Sequence, residues 1–108
     1  MFFSIAKELE NGKLLSRIVI AEARRVKAIN EDGVDAEAYD AIHEGEISAL
    51  RIRSFRLPRI EFQSEKEFRN FVKDTANNSG VFFNDPRCFG YLMDVARGYL
   101  SDFGWFAG

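Results

Sequence analysis

The chain has 108 residues, a net charge of −2 and one cysteine, Cys88. That length suits a single domain over residues 1–108 with a core of its own, and a lone cysteine excludes an intrachain disulfide. No stretch approaches the roughly 18 apolar residues of a membrane span, and the near-neutral total gives no global pull toward nucleic acid. A cytoplasmic protein with no membrane association is the expectation.

The charge is unevenly distributed. Residues 1–50 carry net −4, residues 51–73 net +4 and residues 74–108 net −2. The sign changes abruptly mid-chain. Glu31, Asp32, Asp35, Glu37, Asp40, Glu44 and Glu46 are not interrupted by any Lys or Arg, and Arg51, Arg53, Arg56 and Arg59 follow at once.

In chain order, Ser4 is placed to cap a short helix through Glu10, stopped by Asn11-Gly12. A longer helix follows Gly12. Leu15, Ile18, Val19, Glu22, Val26 and Ile29 recur at helical spacing, with Glu22 a polar fault in the stripe. Asn30-Glu31-Asp32-Gly33 reads as a turn, and Asp35 as the N-cap of a helix over 36–44 that ends at or beyond Gly45.

Residues 47–62 carry two patterns. Ala49 to Leu57 alternates as a bulged or edge strand would, and Pro58 suits an edge. Ile47, Leu50, Ser54 and Leu57 fit a helix nearly as well. Ser64 and Glu67 form a capping box before a helix with Phe68, Phe71, Val72 and Thr75 on one face. Asn77-Asn78-Ser79-Gly80 ends it, and Val81-Phe82-Phe83 is a short apolar link or strand. Asp85 and Pro86 open a last helix with a wide apolar face that includes Phe89, Leu92, Met93 and Ala96. The fold expected is α+β and helix-dominated: about four helices with a small antiparallel or edge sheet from 47–62 and 80–83. An all-α bundle is the alternative.

Candidate partner-binding residues are Arg51, Arg53, Arg56 and Arg59, because Arg pairs bidentately with carboxylate or phosphate and stacks on rings. Trp105 and Phe106 join them as aromatic anchors near the C-terminus. Asp35, Glu37, Asp40 and Glu44 form the candidate acidic patch. His43 and Glu46 would share a helix face, but one imidazole and one distant thiol do not make a metal site, so no metal or cofactor is expected. Cys88, near a helix start and beside Arg87, has a pattern that lowers a thiol pKa, although packing in a core is the commoner fate of such a residue. No P-loop or dinucleotide motif occurs.

The function these features favour is a small non-enzymatic protein-interaction module. It would self-associate, as a homodimer, or regulate a larger protein partner. Nucleic-acid binding by Arg51–Arg59 is the alternative, and a small enzyme of unknown chemistry ranks third.

Overall fold

A computed structural model describes the backbone of residues 2–54, 62 and 64–102, and the side chains of 13–50, 62 and 64–98. The described residues form four helices: α1 (Phe2–Asn30), α2 (Ala36–Ser54), α3 (Glu65–Asn78) and α4 (Pro86–Asp102). No strand occurs among them. The small sheet expected from 47–62 and 80–83 is therefore corrected to an all-helical arrangement.

The physical reason lies in tertiary partners. His43, Ile47 and Leu50 are buried at i, i+4, i+7, which is the helical phase of that segment, and Ile47 and Leu50 pack on Leu14, Ile18 and Ala21 of α1. Among the described residues the alternating phase finds no second strand. Residues 55–57, where the alternation continues, lie outside the described residues. Val81-Phe82-Phe83 is likewise a connector: Val81 is buried, Phe82 is exposed and Phe83 is half-buried.

Gly12, expected at a helix break, lies inside a helix, and at Gly45 the helix continues, one of its two expected readings. α1 runs through Asn11-Gly12 and α2 runs through Gly45. A glycine inside a helix costs about 1 kcal/mol, whereas a break strands several backbone donors and acceptors at each new end. Continuing the helix is the cheaper solution.

The local end signals of α3 and α4 operate as the sequence suggests. Ser64 Oγ accepts from the Glu67 N–H at 3.1 Å. At the other end of α3, Gly80 adopts φ +82°, its N–H donates to the Asn77 carbonyl, and the Val81 N–H donates to the Ala76 carbonyl. This is a Schellman motif, and Val81 and Ala76 both enter the core. At the start of α4 an Asp85 carboxylate oxygen accepts from the Arg87 N–H at 2.9 Å. The first residue of the helix, Pro86, has no N–H to satisfy.

α1 is the hub. Among the described residues it packs against α2, α3 and α4, and α3 and α4 also pack on each other, whereas α2 packs closely on α1 alone. The larger core joins Leu15, Val19 and Ala23 of α1 to Phe68 and Val72 of α3 and Leu92, Met93 and Ala96 of α4. Phe62 meets Phe68 edge to face, with ring centroids 5.3 Å apart.

Candidate functional site

The site residues expected from sequence are distributed as follows. Arg51 and Arg53 belong to the last turn of α2 by their backbone. The strand geometry that would have aligned them is absent. Arg56, Arg59, Trp105 and Phe106 lie outside the described residues. Of the acidic patch, Asp35 stands immediately before α2, where its carbonyl accepts from the Tyr39 N–H, and Glu37 and Glu44 are exposed.

Asp40 has a cation from α1 and not from the Arg run. Arg25 Nε donates to Asp40 Oδ1 at 2.6 Å, and Nη2 donates to Oδ2 at 3.3 Å. This guanidinium holds the Asp40 carboxyl below the usual carboxylate range. Beside it lies the polar fault of the α1 stripe. Glu22 is 3% exposed, His43 is 8% exposed, and Glu22 Oε1 and His43 Nε2 are 2.7 Å apart. Arg25 approaches the other Glu22 oxygen at 3.8 Å, and the Tyr39 ring leans on His43. The sequence puts His43 on the helix face that it shares with Glu46. It is buried, and its partner is 21 residues away. Glu22, Arg25, Asp40, His43, Glu44 and Val95 line a cavity of about 330 Å³. No group of three potential metal ligands occurs among the described residues.

Glu31, the first carboxylate of the acidic block, is turned inward. Its oxygens accept from the backbone N–H groups of Asn84 and Asp85 at 2.9–3.1 Å and from Lys27 Nζ at 3.1 Å. Lys27 also donates to the Phe82 carbonyl at 2.5 Å. The end of α1 is thereby stapled to the start of α4. The Asn84 hydrogen bond is the largest cause that brings the Glu31 carboxyl down to about 2.

Cys88 packs beside this staple and is 2% exposed. Burial pushes its thiol up, and hydrogen bonding with Glu31 adds to that, outweighing the opposite pull of Arg87. The lowered-pKa pattern read from sequence therefore does not operate. Glu22, which holds His43, lies on α1, and Glu31, which hydrogen-bonds with Cys88, directly follows its last residue, nine positions further along the chain.

Two open grooves also lie among the described residues. One, of about 480 Å³, runs between α1 and α2 and is lined by Arg17, Ile20 and Arg24 on one side and Glu46, Ala49 and Leu50 on the other. Sequence reading passed over Arg17 and Arg24. Their seven-residue spacing, two helical turns on one face, was the available signal. The second groove, of about 410 Å³, lies between α3 and α4.

No described protein family, curated protein or solved structure matches this chain. No helix among the described residues is long and apolar enough to cross a membrane.

Proposed function

We propose that this chain is a small non-enzymatic protein-interaction module that self-associates through α2. The observation that carries the reading is the exposure of this helix. Among the described helices α2 packs closely on α1 alone, and Ala38, Ile42, Gly45 and Ala49 form an outward stripe at i, i+4, i+7, i+11, with Ile42 83% exposed. A large aliphatic side chain amid small residues suits close contact with another helix, because Ala and Gly let two backbones approach.

Charge supplies the orientation. The first half of α2 holds Glu37, Asp40 and Glu44, and its last turn holds Arg51 and Arg53. Gly45 is its middle residue. An antiparallel pair of α2 helices centred on Gly45 brings Glu37 level with Arg53 of the second copy, and the reverse, as two-fold symmetry requires. Such a pairing sets Glu44 level with Glu46 of the second copy near the axis, a repulsive juxtaposition. Arg17 and Arg24, which share a groove with Glu46, supply cations there. The opposed helix dipoles add a small favourable contribution.

The test is solution mass by light scattering after gel filtration, for the wild type, Ile42→Glu, Arg53→Glu and the swap Glu37→Arg/Arg53→Glu. A wild-type dimer is expected. Ile42→Glu should be monomeric with unchanged helicity, Arg53→Glu should dissociate at least tenfold more readily, and the swap should recover part of the loss. A wild type that is monomeric at all accessible concentrations would remove the proposal.

A further inference from the structure

The groove between α3 and α4 differs from the α1–α2 groove and the His43 cavity in one respect: its lining holds two cations and no carboxylate. The α1–α2 groove contains Glu46, and the cavity at His43 contains three carboxylates. In a chain of net charge −2, a carboxylate-free basic groove runs against the overall bias.

One wall is polar. Arg69 and Lys73 are exposed one turn apart on α3, and neither makes an ion pair with a described carboxylate. Asn70 and Asn77 stand two turns apart on the same helix and line the same groove. Lys66 continues the line one turn toward the start of α3, at i−3 from Arg69 and i−7 from Lys73. The other wall is apolar and aromatic. Phe83 and Phe89 are only half-buried, and the Arg69 guanidinium carbon lies 6.0 Å from the Phe89 ring centroid. Asp85, which precedes the lining residue Pro86, is engaged through both of its oxygens by the Arg87 side chain.

We propose that this groove binds a nucleotide unit, with its phosphate on Arg69 and Lys73 and its base against Phe83 and Phe89. Each component has a chemical reason. Arg recognises phosphate oxygens in a bidentate fashion, and Lys adds a point charge. A half-exposed phenylalanine beside them is a stacking platform, and base–aromatic stacking is sequence-tolerant because every base has a π-face. The two carboxamides each offer a donor and an acceptor to a base edge. A volume of about 410 Å³ lies within the ordinary range for small-ligand sites. The same chemistry is presented by a free mononucleotide and by one residue of a single strand. The cation line through Lys66 extends about 10 Å along α3, enough to follow more than one phosphate.

The site is separate from α2, so it can be tested with self-association intact or abolished. Fluorescence anisotropy with a labelled eight-nucleotide single strand, competed by unlabelled AMP, tests it on the full chain. The strand should bind at low salt, and Kd should rise with salt at a log–log slope of about 1.4 for two phosphate contacts. Arg69→Gln/Lys73→Gln should weaken binding at least tenfold, and Phe89→Leu several-fold. Lys13→Gln, on α1 outside the groove, should leave it unchanged.

Competition by AMP at comparable concentration would identify a mononucleotide site. Competition only by the oligonucleotide would identify a single-strand site. Three results would overturn the proposal: no binding by folded wild type at low salt, equal loss on Lys13→Gln, or displacement by an acidic peptide but not by either nucleotide form. Because Arg69 and Lys73 are exposed, circular dichroism of the double variant should match wild type, which separates loss of binding from loss of fold.

Discussion

At the residue scale, two carboxylates are resolved in opposite ways. Glu31 is a charged group that the fold stabilises by directing backbone N–H groups at it. Its carboxyl falls from an ordinary value near 4.5 to about 2, chiefly through the Asn84 N–H. A carboxyl with a depressed folded-state value contributes stability that is complete above its unfolded value. That contribution is lost as pH falls from about 4.5 toward 2. Thermal melts from neutral pH downward should therefore show Glu31→Gln below wild type at pH 7 and the two curves converging near pH 2. Curves that coincide at every pH would show that the staple between α1 and α4 contributes nothing. Glu22 is instead a buried group satisfied by side chains on α1 and α2. Removing one member of a buried polar pair leaves the other desolvated, which costs about 1–3 kcal/mol. His43→Leu and Glu22→Leu should each destabilise by about that much, and the double variant should fall short of the sum by about 1 kcal/mol or more. Additive urea-denaturation losses would show that the 2.7 Å contact is not an energetic coupling.

At the element scale, the helices were legible wherever their signals were local. The stripes Leu15–Val26, Phe68–Val72 and Leu92–Ala96 are buried as their spacing requires. The Ser64 cap and the Asp85-Pro86 start depend on atoms within three residues, so a sequence contains everything needed to read them. Residues 47–54 were not legible. Two periodicities overlap there, and only the presence of α1 beside Ile47 and Leu50 selects the helical one. The same dependence makes α2 the least secured helix. Among the described residues it is held by one neighbouring helix, with His43, Ile47 and Leu50 as its buried side chains. Amide hydrogen exchange under conditions that keep the chain monomeric should show the lowest protection in α2 and the highest in α1, α3 and α4 near Val19, Val72 and Leu92. Equal protection across all four helices would mean that α2 opens only with the whole chain.

At the scale of the whole molecule, the described residues form a helical hub, α1, with a two-helix layer on one part of its surface and a single helix on another. This division separates the two proposed surfaces. The α2 face has acidic and apolar residues suited to a second copy, and the α3–α4 groove has cationic and aromatic residues suited to a nucleotide unit. Of the candidate site, the sequence made the sign change at residues 46–51 visible, together with the acidic residues of α2, because charge order along a chain needs no folding to be read. It could not assign partners. Asp40 takes Arg25, His43 takes Glu22 and Glu31 takes the Asn84–Asp85 backbone, across 15, 21 and 53–54 residues. Which groups meet over such separations depends on how α1 lies against α2 and α4. By itself the sequence determined the helical periodicities, the caps and the distribution of charge, all set by interactions within about a turn of the chain. Only the tertiary structure decided that residues 47–54 are helix, that Cys88 is buried, and that Arg69, Lys73, Phe83 and Phe89 share one groove, because each of these depends on packing between separate helices and the segments that join them.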